Sequence, residues 1–190
     1  MWLDRVKNAY GSRLVVTWRN FCLEQINSTE DPDWRVWEQQ DLTQRRSLIA
    51  AISGEAAKKQ GIEHFEKFHL ALLTARHGGN GRIALNEIEP MIDLAGKVGL
   101  DIVKFKRDLM DPQLLEVIGN DHKDAVENHG VFGTPTFLFK NGFAAYLKTF
   151  IPPEEDSIEA FKHFVAISSE RSYIGELKRP QPPWPKGALT

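Results

Sequence analysis

Few residues of this 190-residue chain have types that could do chemistry, and their spacing narrows the choice further. Cys22 is the single cysteine, so the chain can build no internal disulfide, Cys-x-x-Cys pair or zinc knuckle. It stands in Asn20-Phe21-Cys22-Leu23, with no basic residue or helix start beside it to lower its pKa. Cys22 therefore reads as a small apolar residue, not as a thiolate nucleophile. His64 and His69 are five apart, whereas two imidazoles share a helix face at i, i+4, so they read as solvated helix histidines and not as metal ligands. His129 reads as a last-turn residue complementing a helix dipole. Asp121, His122 and Asp124 form a carboxylate–imidazole run that reads as exposed decoration on a polar helix face. Gly133-Thr134-Pro135 is the exception. A cis X–Pro bond there would turn the chain tightly and leave the preceding backbone free to pair with an extended peptide. The residue types by themselves point to no catalytic group, metal ligand or cofactor.

Composition sets the frame around that loop. Hydrophobic residues make up 42% and charged residues 26%, which is ordinary for a globular domain. Twenty-four basic residues against 26 acidic ones leave a net charge of −2, which argues against a nucleic-acid surface. No stretch reaches the roughly 18 apolar residues that a membrane span needs. The N-terminal Met-Trp-Leu-Asp-Arg-Val-Lys does not read as a signal peptide, so the expected location is the cytoplasm, away from membranes.

The elements that must position the loop follow from periodicity. Trp2, Leu3, Val6 and Tyr10 recur at helical spacing before Gly11, so residues 1–10 should be a helix. Residues 13–21 are β-branched and aromatic and predict a strand. Asp31-Pro32 should open a helix through Trp34 and Trp37. From about 42 to 129 the pattern is helical, giving four or five helices punctuated by Gly61, Gly78-Gly79 and Gly99. Within it Asn86 with Glu89 predicts a capping box, and Asp101 and Asp111-Pro112 predict two further starts. Residues 130–139 then read as a strand after a turn, Asn141-Gly142 as a two-residue hairpin loop, and 143–150 as the returning strand. A last helix should carry Ile158, Phe161, Phe164, Val165 and Ile167 on its apolar side. The tail at 178–185 should be extended.

Gly130-Val131-Phe132-Gly133-Thr134-Pro135-Thr136-Phe137 resembles the cis-proline loop of the DsbA family of thioredoxin-fold thiol–disulfide oxidoreductases. The order of helix, strand, helical block, hairpin and helix is similar to that family's, as is Phe68-His69-Leu70-Ala71-Leu72-Leu73-Thr74-Ala75 in the helical block. The resemblance implies an α/β, thioredoxin-like fold with a large helical insertion and with its first strand missing. Residues 1–41 and 126–176 would form a discontinuous core, 42–125 the insertion and 177–190 an extended proline-rich tail. It also implies a protein or small-molecule thiol or disulfide as substrate, with Gly133, Thr134 and Pro135 as the candidate substrate-binding site and the backbone of Thr134 holding the substrate strand. The family's Cys-x-x-Cys motif and the strand before it are absent, and Met1 falls inside what resembles the first helix, so both are expected upstream of this Met. In a thioredoxin fold that strand would lie between the 14–21 strand and the Pro135 strand. The two would then pair directly, or a second chain would donate a strand and make a homodimer.

Three functions follow: a DsbA-like protein-disulfide oxidoreductase whose catalytic dithiol is not in this chain, a redox-inactive peptide-binding module, or a relative of kappa-type glutathione-dependent transferases and isomerases. Codons upstream of Met1 separate them, as Cys-x-x-Cys, nothing, or a lone Ser or Cys. The purified 190-residue chain is expected to reduce insulin no faster than its Cys22→Ala variant, and turnover that depends on Cys22 would refute the apolar reading of that residue.

Overall fold

The computed structural model describes residues 1–39, 46–79 and 82–177. Its elements run α1 (Trp2–Tyr10), α2 (Leu23–Ile26), α3 (Arg46–Lys58), α4 (Ile62–His77), α5 (Ile88–Lys97), α6 (Ile102–Leu109), α7 (Gln113–Glu127), β1 (Thr136–Leu138), β2 (Ala144–Tyr146) and α8 (Ser157–Glu170). This is a mixed helix-and-sheet protein, and it divides into two compact units. One is Met1–Thr17 with Gly133–Thr190, and the other is Trp18–Phe132.

In the first unit α1 packs on α8 beside a short hairpin. β1 and β2 form an antiparallel hairpin with Thr136 opposite Tyr146, Phe137 opposite Ala145 and Leu138 opposite Ala144. The inner face of β1 packs on α8, with Phe164 4.8 Å from the Phe137 ring and 6.0 Å from the Phe139 ring. On α8, Phe161 is buried, and Trp2 and Tyr10 of α1 meet its ring edge-on at 6.2 and 5.9 Å. The Trp2 indole N–H donates to the Ser157 carbonyl at 2.8 Å, and Arg5 donates to the Pro152 carbonyl. The hairpin loop has three residues, not the two that Asn141-Gly142 suggested. The Gly142 N–H returns to the Phe139 carbonyl at 2.9 Å, and Gly142 takes φ +87°, the left-handed position that closes a type I turn with a bulge. Asn141 Oδ1 accepts from the Phe143 N–H, so its side chain serves the turn while glycine supplies the backbone freedom.

The second unit is helical, with five helices of eight residues or more around one core. Phe68, Phe105, Leu48, Met91 and Ile118 are fully buried there, and the Phe68 and Phe105 rings lie 5.6 Å apart. The α6 start behaves as the sequence predicts: Asp101 caps it by accepting from the Val103 and Lys104 N–H groups. Asp111 likewise accepts from the Gln113 N–H at the start of α7. The capping box at Asn86 does not form, because α5 begins one residue late with Glu87 as N-cap and no side-chain cap bond. Asp31-Pro32 opens a turn and not a helix. The Trp34 N–H bonds the Asp31 carbonyl, and only a short 3-10 turn at Val36–Glu38 follows. Gln25 holds that stretch in place by donating to the Trp34 carbonyl and accepting from the Val36 N–H.

The predicted strand at 13–21 is absent. Residues 14–22 have no regular secondary structure, although exposure alternates along Leu14–Asn20 as it would on a strand. Among the described residues, Val15, Thr17 and Arg19 make no backbone hydrogen bond to another segment. β-branched residues favour the extended conformation, but a strand also requires a ladder partner, and local sequence does not supply one. The proline-rich tail at 178–190 lies outside the described residues.

Two mid-helix glycines make the packing testable. A Cβ on Gly119 of α7 would come within 2.7 Å of the Trp37 indole nitrogen, whereas one on Gly54 of α3 would meet Phe65 at an ordinary 3.5 Å. Gly54→Ala is expected to stabilise the chain by up to about 1 kcal/mol through helix propensity. Gly119→Ala is expected to destabilise it, because overpacking of about 1–3 kcal/mol exceeds that gain. Urea midpoints of the two variants against wild type check the opposite signs.

Candidate functional site

The sequence singles out Gly133-Thr134-Pro135, and the local structure explains how that loop is held. The Thr134–Pro135 peptide bond is cis. Gly133 is buried against the Tyr146 ring of β2, so close that a Cβ there would sit 3.3 Å from Tyr146 Cε2. The Thr136 hydroxyl donates back to the Gly133 carbonyl at 2.7 Å, and the Leu147 N–H donates to the Pro135 carbonyl at 3.1 Å. Thr134 and Pro135 themselves are exposed. A buried glycine and a bonded carbonyl thus anchor both sides of a loop whose middle faces solvent.

The phase of the hairpin decides which backbone groups remain open. Bonds from Leu147 to Pro135 and from Phe139 to Phe143 turn positions 135, 137 and 139 toward β2. In an antiparallel ladder the alternate residues point the other way. The N–H and C=O groups of Thr136 and Leu138 therefore face outward, and they have no backbone partner among the described residues. The open edge of β1 runs directly into the exposed Thr134–Pro135 loop. On the solvent face Leu138 and Tyr146 are 44% and 41% exposed, so a strand laid along this edge would find apolar neighbours.

Of the three residues read as exposed decoration, Asp124 is exposed, but Asp121 and His122 prove to be structural. Asp121 and His122 are buried, not exposed, and they hold the segment Trp18–Cys22 against the helices. Asp121 Oδ2 accepts from the Asn20 N–H at 2.9 Å and from the Asn20 amide at 3.0 Å, while Oδ1 accepts from Arg19 at 2.7 Å. Asn20 also donates to Glu55 Oε1 of α3 at 2.6 Å, and Lys58 joins that carboxylate at 2.5 Å and the Trp18 carbonyl at 3.0 Å. The Cys22 N–H donates to His122 Nδ1 at 3.1 Å. The His122 ring lies 4.9 Å from Phe21 and 5.2 Å from Trp37, and burial first, then the nearby Arg35 charge, lowers its pKa.

The other candidates carry no chemistry. Cys22 is 4% exposed, and burial first, then Glu24 and Asp121, pushes its thiol up to about 12, so no thiolate forms near neutral pH. His69 is not solvated as expected. Its ring stacks on Phe65 at 5.3 Å and meets Trp18 at 4.7 Å, and burial, reinforced by the Lys58 charge, lowers its pKa to about 4. His129 follows the end of α7 and lies 3.8 Å from Asp124, an exposed carboxylate. No group of three or more His, Cys, Asp or Glu among the described residues is arranged to hold a metal. A shallow groove of about 620 Å³ along α4 is lined by Lys67, Leu70, Ala71, Thr74, Ala75 and Val98, mostly apolar with one cation. No helix among the described residues is long and apolar enough to cross a membrane.

No protein-family model and no curated protein sequence matches this chain.

The Asp121 network yields an ordered prediction. Arg19 is 64% exposed against 4% for Asp121, so solvent screens the ion pair from the arginine side. Arg19→Ala should cost less than about 1 kcal/mol. Asp121→Ala leaves the Asn20 groups and Arg19 without their acceptor and should cost about 3–5 kcal/mol. Equal losses for the two variants in urea unfolding would contradict the assignment of Asp121 as the anchor.

Proposed function

We propose that this chain is a DsbA-like, thioredoxin-fold protein whose own contribution is to hold an extended thiol- or disulfide-bearing peptide at Gly133-Thr134-Pro135. The open outward edge at Thr136 and Leu138, continuous with the exposed Thr134–Pro135 loop, carries this reading. An extended peptide that adds itself to such an edge gains main-chain hydrogen bonds, and its alternate side chains meet the apolar positions beside the edge. Gly133 packed on Tyr146 and the Thr136 hydroxyl bond fix the loop before any ligand arrives, which lowers the ordering cost of binding.

Dithiol exchange requires a low-pKa thiolate and a second, resolving cysteine. Cys22, buried and with its pKa raised to about 12, supplies neither, so the redox couple belongs to residues outside this sequence or to the bound partner. Capture of an extended peptide is the step this chain's own residues can perform. The same edge serves the redox-inactive binding reading, and a disulfide exchange partner added in trans distinguishes the two.

Titrating a cysteine-containing extended peptide into isotope-labelled protein should shift the amide signals of Thr134, Thr136 and Leu138 and slow exchange of the outward amides. Leu138→Pro removes one outward donor at an edge position that tolerates proline and should weaken binding about tenfold. Unmoved signals at saturating peptide, or equal binding by Leu138→Pro, would refute this site.

A further inference from the structure

The hydrogen bond from the Cys22 N–H to His122 Nδ1 has a chemical requirement of its own. An imidazole nitrogen accepts only when it carries no proton, so the bond exists with His122 neutral and its proton on Nε2. Protonation turns Nδ1 into a donor and sets two donors against each other at 3.1 Å. It also places a cation in a site 4% exposed, between the Phe21 and Trp37 rings. We infer that His122 is a pH-sensitive latch that holds the Cys22 end of the Trp18–Cys22 segment on α7 when neutral and releases that end when protonated.

The surrounding charges favour this reading. Arg35, just before the Val36–Glu38 turn, opposes a second positive charge at His122. Lys123 on α7, the residue after His122, lies over the Trp37 ring at 5.9 Å. The carboxylates that would welcome an imidazolium are committed elsewhere. Asp121 on α7 serves Arg19 and Asn20, and Glu55 on α3 serves Asn20 and Lys58. Glu24 on α2 and the neighbouring Asp124 on α7 complete the charged groups near the segment. Glu24 acts on the Cys22 thiol, while Asp124 takes the Asn128 amide. No carboxylate among the described residues bonds His122 itself.

The sign follows from linkage. The folded pKa of His122 is depressed, so its contribution to holding the segment is full above the ordinary histidine value of about 6.5. It is lost as pH falls from there through the folded value. The latch differs from global unfolding because Arg19 and Asn20 keep their own bonds to Asp121 and Glu55, which do not pass through the imidazole.

Cys22, the single thiol, reports the state of its own segment. The test is the rate of labelling of the full chain by 4,4′-dithiodipyridine, a reagent that reacts in mild acid, divided by the rate for N-acetylcysteine at the same pH. Between about pH 7 and about pH 5 this ratio is expected to rise about tenfold or more, the factor by which an ordinary imidazole gains its proton, with far-UV circular dichroism unchanged. His122→Asn keeps an acceptor near the Nδ1 position that does not titrate, and its ratio should stay flat. An unchanged ratio in the wild type, an equal rise in His122→Asn, or loss of the dichroism signal in step with labelling would overturn the latch. Should His122→Asn fail to fold, nitrogen chemical shifts of His122 in the wild type decide. A titration midpoint that coincides with the rise in labelling supports the latch, and one that does not coincide refutes it.

Discussion

A buried carboxylate organises the helical unit. Asp121 is 5% exposed, and it can sit there only because three donors from one short segment, the Asn20 N–H, the Asn20 amide and Arg19, converge on its two oxygens. An ionised carboxylate removed from water without such partners would cost several kcal/mol. That constraint fixes the course of Trp18–Cys22, which has no regular secondary structure of its own and would otherwise have little to hold it. From there the order spreads. Asn20 reaches Glu55, Glu55 takes Lys58, and Lys58 returns to the Trp18 carbonyl, so α3 and α7 clamp the same segment from two sides. Cys22 completes the clamp through His122, whose ring is also part of the aromatic packing around Trp37.

The hairpin unit rests on a different balance. A two-stranded hairpin alone is marginal in water, and here its stability comes from the aromatic face that Phe137 and Phe139 present to Phe164. Packing on one face leaves the edge of β1 unused. The same arrangement that makes the hairpin stable thus leaves the outward groups of Thr136 and Leu138 available, next to a loop that its flanking contacts already hold in place. The packing that stabilises these three residues uses one face and leaves their outward edge open.

Much of the architecture was legible from periodicity and punctuation. The first helix ending at Gly11, the five helices of the middle block, the Asp101 cap, the antiparallel hairpin and the last helix all follow from residue spacing and local capping chemistry. These are short-range decisions, settled by hydrogen bonds within a turn or by one apolar stripe. The turn at Thr134–Pro135 was legible for a related reason, since proline restricts its own backbone and that of the residue before it.

Tertiary structure decided the rest, and the misread residues show why. Asp121 and His122 continue the stripe of Leu114 and Ile118 at i, i+4, i+7 and i+8, so the helix period already placed them on the buried face. Their polarity argued for exposure, and only the donors of a segment 100 residues away could settle the conflict in favour of burial. Residues 14–21 had the composition of a strand but met no second strand, because pairing belongs to two segments while propensity belongs to one. His69 stacks on Phe65 one turn earlier, but it also meets the ring of Trp18, a residue 51 positions earlier, which its own helix could not announce. Sequence by itself determined which segments could be helices and where the chain must turn. Which polar groups are buried, and which strand finds a partner, depended on contacts between distant segments, since the free energy of a buried charge or an unpaired backbone group is set by whatever donor or acceptor the fold brings within bonding distance.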